Sequence, residues 1–105
     1  MMKLKPEDTI IITKHPGIVE WLEKDQGITG IVKRSVKPEE VKGKHVIGEI
    51  PPYAAQNAFC VTEILSTKLC RMYGAPLSYE EVKELDPELF TYVVVPVVNT
   101  DPTDY

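Results

Sequence analysis

Apolar and polar positions along the chain follow two alternating rhythms. Thr9, Ile10, Ile11, Ile12 and Thr13 form an almost wholly β-branched block, which predicts a strand covered on both faces. The block stops at His15-Pro16-Gly17, and the period changes: Ile18, Trp21 and Leu22 share one helical face, Glu20, Glu23 and Lys24 the other. Pro16 suits a first helical turn, because its fixed φ fits the helix and its missing N–H would have had no intrahelical partner. Gln26-Gly27 supplies the helix stop, and Ile28 to Val32 predicts a second strand interrupted by Gly30. Lys33 to Lys42 is polar, with one short helical turn at Pro38-Glu39-Glu40. His45 to Ile50 is a third strand, ended by Pro51-Pro52. Tyr53 to Ala58 then begins a compact helix whose Ala54, Ala55 and Ala58 let it sit close to a sheet.

The following stretch carries two patterns. Apolar residues at helical spacing allow one long helix from Pro52 to Tyr73, whereas Phe59 to Leu65 is rich in β-formers at strand length. The favoured reading is a fourth strand at Cys60 to Leu65, followed by an irregular loop to Leu77. Ser78 with Glu81 three positions on is a capping box, opening a last helix that ends at Asp86-Pro87. Leu89 to Val98 is a final strand, and Pro96 within it predicts a sheet edge or an early end.

Strands alternating with helices through short links predict an α/β layer structure, a mainly parallel sheet of about five strands flanked by helices. Residues 1–98 form its single domain, and 99–105 a polar tail. A strand running through proline into a helix occurs twice, and each time it puts a turn at a strand's carboxyl end. Ligands of open α/β sheets bind along that edge, where strand order reverses. One site is therefore expected between His15-Pro16-Gly17 and Pro51-Pro52-Tyr53.

The totals narrow the partners. A net charge of −4 argues against a protein that grips long nucleic acid by bulk electrostatics, yet permits a small anion in a local positive pocket. Cys60 and Cys70 show no metal-type spacing and read as reduced thiols. With no apolar run of transmembrane length and no signal-peptide core after Met1, the expectation is a soluble, cytoplasmic protein.

The chemistry centres on His15, a side chain whose charge is easily switched near neutral pH, set where the first helix's backbone N–H groups point at an anion. It is either a ligand-facing acid, base or phosphate donor, or a cap bonded to its own backbone. Lys14 and Thr13 flank it, and the Gly17 backbone is a candidate phosphate holder. Tyr53 would stack on a base, and Gln56 or Asn57 read its edge, beside Pro52 on the second helix. Trp21 belongs by spacing to the core. Arg71, in the long loop, is placed to close over a phosphate. His45 begins a strand and should lie at the opposite edge. No dinucleotide fingerprint, P-loop, nucleophile elbow or metal-ligand cluster occurs, so neither cofactor nor metal is expected.

Taken together, these motifs resemble a family. Ile11-Ile12-Thr13-Lys14-His15-Pro16-Gly17 with Glu20-Trp21-Leu22, then Gly43-Lys44-His45-Val46-Ile47-Gly48, Ile50-Pro51 and Ala54-Ala55 follow in order. Val61-Thr62-Glu63-Ile64 and Leu77-Ser78-Tyr79-Glu80-Glu81-Val82 complete a pattern similar to small stand-alone CRISPR-associated proteins of type III systems. These are ring nucleases with a Rossmann-like, CARF-related fold. The chain departs from the pattern at Pro52-Tyr53, where a polar or basic residue is expected, and in a loop that is not rich in proline and acid.

The resemblance implies a homodimeric, metal-independent enzyme that cleaves cyclic oligoadenylate, above all cyclic tetraadenylate. Linear products would end in a 2′,3′-cyclic phosphate, and type III signalling would be switched off. Such chemistry needs an in-line sugar, stabilised phosphate charge, and a proton accepted and returned. His15 and Lys14 would be catalytic, and Thr13, Pro16, Gly17, Pro52, Tyr53, Gln56, Asn57 and Arg71 would hold ligand. A four-fold ring also suits a two-fold dimer. The rival readings are a sensor or sponge that binds the same signal without cleaving it, and an interaction module presenting the loop Ser66 to Pro76.

Overall fold

β1 (Thr9–Ile12) is buried at all four positions, as its β-branched run predicts, because it lies inside the sheet with a neighbour on each side. The computed structural model describes residues 5–66 and 76–96, and β1 is one of five strands in it. The others are β2 (Ile31–Lys33), β3 (His45–Gly48), β4 (Cys60–Leu65) and β5 (Glu88–Tyr92). Their order is β2-β1-β3-β4-β5. β1 pairs in parallel with β2 and β3, and β3 with β4, while β5 runs antiparallel to β4 at the edge. The sheet is thus mixed.

Three helices connect these strands: α1 (Pro16–Gln26), α2 (Pro52–Ala55) and α3 (Tyr79–Leu85). Alternation along the buried strands builds two cores. Ile11 and Ile47 face α1 and α3, where they meet Ile18, Trp21, Leu22, Leu77, Val82 and Leu85. Ile10, Ile12 and Val46 face the other way, onto Val41 of a 3₁₀ turn at Pro38–Val41. α2 packs beside that turn with Ala54 and Ala55 buried. Small side chains here let the short helix lie against its neighbours.

Local signals place most boundaries. Pro16 is the first residue of α1, and Gly27, with φ 69°, ends it as a left-handed cap whose N–H reaches Leu22 O. Ile28 N–H bonds the same carbonyl at 2.8 Å, so residues 28–30 complete the helix stop instead of pairing. β2 consequently starts at Ile31, three residues later than the pattern predicts. Its last residue is Lys33, paired with Ile12. The capping box is present: Ser78 Oγ accepts from Glu81 N–H at 3.2 Å, and Glu81 Oε1 from Ser78 N–H at 3.0 Å. β4 replaces the alternative long helix, because residues 60–65 bond β3 on one side and β5 on the other. α2 is shorter than expected, turning at Gln56. β5 ends at Tyr92, ahead of Pro96, and Val97 and Val98 lie outside the described residues. The polar tail does too. Among the described residues no helix is long and apolar enough to cross a membrane.

Candidate functional site

Strand order reverses at β1, whose neighbours are β2 on one side and β3 on the other, so the carboxyl ends of these strands frame a crevice. Gly48 closes the β3 side of it. Its φ of 123° lies in the region that favours glycine, and a Cβ there would stand 2.1 Å from Ile12 O. β1 and β3 therefore approach more closely at their carboxyl ends than any side chain permits.

On the β2 side the edge opens into a groove of about 630 Å³ lined by Thr13, Lys14, His15, Pro16, Val19, Glu20, Glu23, Lys24, Val32, Lys33 and Arg34. The parallel register explains the gathering: Lys33-Arg34 leave β2 just as Lys14-His15 leave β1, and Thr13 N–H bonds Lys33 O at 3.2 Å. Lys33 is held by Glu40, which also accepts from Lys37 N–H at 3.0 Å. The Lys33 hydrogen bond, then that of the Lys37 backbone, holds the Glu40 carboxyl below its ordinary range. Lys24 pairs with Glu20 at 3.5 Å and lies 5.0 Å over the Tyr79 ring. Among the described residues, Lys14 and Arg34 are the groove cations without an ion pair. Sequence reasoning missed Lys33 and Arg34. The expected strand ended one residue short of them, at Val32, and the missing signal was that β2 pairs with β1 in parallel.

His15 does not cap α1 with its side chain. Its Nδ1 accepts a hydrogen bond from Leu77 N–H at 2.9 Å, across 62 residues of chain. Gly17 N–H in turn donates to Leu77 O at 3.0 Å, so both backbone groups of Leu77 are held by the start of α1. A Cβ on Gly17 would stand 2.2 Å from the Ser78 carbonyl carbon. Gly17 is there to let α1 meet residues 77–78, and its N–H, expected to face phosphate, is already used. Ile18 N–H is also used, by His15 O at 3.0 Å. Thr13 Oγ1 accepts from His15 N–H at 3.1 Å, which fixes the turn between β1 and α1. These two N–H groups of the first turn are therefore not free to meet an anion.

The other expected ligand residues lie apart. Pro52 and Tyr53 are exposed across the crevice, after β3, and do not line the groove. Gln56 donates to Tyr53 O at 3.0 Å. Asn57 donates to Pro38 O at 3.1 Å, and its carbonyl accepts from Gly43 N–H. Since Gly43 precedes β3, this puts Asn57 at the amino edge of the sheet, away from His15. The chain returns across the sheet between Gly48 and Cys60, and α2 is only part of that crossing, with Asn57 beyond its end. Arg71 and Cys70 lie outside the described residues. Trp21 is core, 4% exposed.

His45 is where its position predicted, at the amino end of β3, paired with Thr9 and Cys60. Its Nε2 lies 2.6 Å from Thr62 Oγ1, which is 2.7 Å from Thr91 Oγ1, while Nδ1 is buried without a partner. Burial holds the ring below the ordinary histidine range. In acid the unfolded chain therefore takes up a proton more readily than the fold, so this group's contribution falls as pH drops below about 6.5. Urea unfolding at pH 7.5 and 5.5 checks this. Wild type should lose more stability between the two than His45→Gln; equal losses would refute it.

Among the described residues no group of three or more His, Cys, Asp and Glu side chains is placed to hold a metal ion. Residues 10–95, from β1 to beyond β5, match the model of the family described as "Putative CRISPR-associated protein (Cas_VVA1548)". No curated protein and no solved structure matches the chain.

Proposed function

Because the chain belongs to the Cas_VVA1548 family, described as CRISPR-associated, we propose that it is a metal-independent ring nuclease with a Rossmann-like, CARF-related fold. Its substrate is cyclic oligoadenylate, in the first place cyclic tetraadenylate, and its role is to end signalling by that ring. The observation that carries this reading is the meeting of His15, Lys14 and Arg34 on one groove at the carboxyl ends of β1 and β2. A phosphodiester carries one negative charge, and two unpaired cations beside an imidazole suit it.

In the proposed reaction a ribose 2′-oxygen bonds to the adjacent phosphorus and the phosphorus–5′-oxygen bond breaks. One proton passes overall from the first oxygen to the second. The ring opens without adding water and leaves a 2′,3′-cyclic phosphate. Lys14 and Arg34 offset the charge that builds on phosphorus-bound oxygens, and His15 is the ring nearest that chemistry. Tyr53 is the exposed aromatic across the crevice on which an adenine can stack. A homodimer would set two such grooves about one symmetric ligand.

The test is incubation of the protein with radiolabelled cyclic tetraadenylate in excess EDTA, with products resolved by chromatography. Linear products ending in a cyclic phosphate are expected. His15→Ala should slow single-turnover cleavage by roughly 10²-fold or more. Intact ligand after prolonged incubation, with binding retained, would favour the sensor or sponge. With no binding either, the nucleotide reading falls.

A further inference from the structure

The hydrogen bond from Leu77 N–H to His15 Nδ1 does more than dock a loop, because it decides which nitrogen of the ring carries the proton. A backbone N–H is always a donor, so the nitrogen it meets must present a lone pair. While this contact is made at 2.9 Å, Nδ1 is bare and the single ring proton sits on Nε2. The contact is well supported. Leu77 is 3% exposed, its carbonyl is held at 3.0 Å by Gly17 N–H, and Ser78 directly after it starts the capping box of α3. Turning the ring over would put Cδ2–H, which cannot accept, against the Leu77 donor and leave that N–H without its partner.

The geometry points to His15 as a neutral hydrogen-bond donor, its Nε2–H offered to an anionic ligand, with the Leu77 backbone as the positioning group that fixes this tautomer. The inference rests on the ring-nuclease reading for its ligand, a phosphodiester, and among the roles that position suggests for this residue it selects the donor over the acid or base. To act as a base, the ring nitrogen left in the groove must be bare. The Leu77 N–H enforces the opposite arrangement. Nε2–H can instead donate to a non-bridging phosphate oxygen and strengthen as charge builds there, with no proton leaving the ring. Such a donor stabilises a developing oxyanion without changing its own ionisation. The cationic neighbours Lys14 and Arg34 suit the same task, since they too favour negative charge on the ligand and not on the protein.

The two histidines of the chain make the assignment measurable. Long-range proton–nitrogen NMR of histidine-labelled protein at pH 7.5, with His15→Gln used to identify the ring by subtraction, should show a bare Nδ1 and a protonated Nε2 for His15. A protonated Nδ1, alone or in a doubly protonated ring, would overturn the inference. Cleavage of cyclic tetraadenylate supplies the second readout. The side-chain amide of Gln reaches the position of Nε2 and can donate but cannot act as a base. His15→Gln should therefore retain activity within about 10-fold of wild type where His15→Ala loses roughly 10²-fold. Equal loss in the two variants, both with the wild-type melting temperature, would overturn the donor role. Should wild-type protein leave the ring intact, the ring-nuclease reading falls, and the tautomer measured in the same sample still upholds or overturns the assignment.

Discussion

Gly17→Ala is expected to destabilise the fold by about 3 kcal/mol or more, beyond what an ordinary overpacked position costs, because the atoms in its way are backbone. The new Cβ would lie 2.2 Å from Ser78 C, 2.4 Å from Ser78 O and 2.5 Å from Leu77 O, none of which can rotate aside. α1 would have to back away from residues 77–78. That movement breaks the Gly17–Leu77 and His15–Leu77 hydrogen bonds together and separates the two helices that share the core around Trp21 and Val82. At about 4 °C or more per kcal/mol for a domain of this size, the melting temperature should fall by about 12 °C or more. Gly27→Ala is the control. Its φ is 69° with nothing within 4 Å of the added Cβ, so only the left-handed backbone, about 1 kcal/mol, is at stake. Similar melting temperatures for the two variants would show that α1 and residues 77–78 do not meet as closely as described.

Trp21→Ala should cost about 3–5 kcal/mol in urea unfolding, the range for removing a buried aromatic. The indole is 4% exposed and packs in the core that α1 and α3 share with Ile11 and Ile47. Trp21→Phe keeps most of that volume and should cost far less, while leaving affinity for cyclic tetraadenylate unchanged. The opposite pattern, a stable Trp21→Ala variant that binds the ring poorly, would make this residue a stacking platform and require the groove to be redrawn. Tyr53, 64% exposed, is the aromatic whose removal should weaken binding without moving the melting temperature.

The elements themselves were legible wherever a signal is carried by neighbours in sequence. Five β-branched or apolar runs became five strands, Pro16 and Gly27 bracketed α1, and Ser78 with Glu81 opened α3. β2 was placed early because residues 28–30 look like strand but serve the helix stop, through Ile28 N–H on Leu22 O. Its carboxyl end was off by one residue only, and what hid the chemistry was the unknown pairing with β1. Lys33 and Arg34 were read as the start of a polar linker, when the parallel register sets them beside Lys14 and His15. At the candidate site the position of His15 was readable, since it ends a buried strand ahead of Pro16. Its partner was not.

Asn57 shows the same boundary from the other side. It was expected on the second helix with Tyr53, but α2 ends at Ala55, and the turn that follows carries Asn57 to the amino edge of the sheet, onto Pro38 and Gly43.

What the amino-acid order determined by itself is therefore local: which residues are strand or helix, where each begins and ends within a few positions, and which faces are apolar. These follow from φ preferences, caps and periodicity, whose reach is a few residues. Only the tertiary structure decided that β5 runs antiparallel at the edge, that two basic strand ends share a groove, and that Leu77 fixes the ring of His15. Those outcomes join residues far apart in the chain, His15 and Leu77 by 62 positions, and such a hydrogen bond exists only once two packed helices have brought its donor and acceptor together.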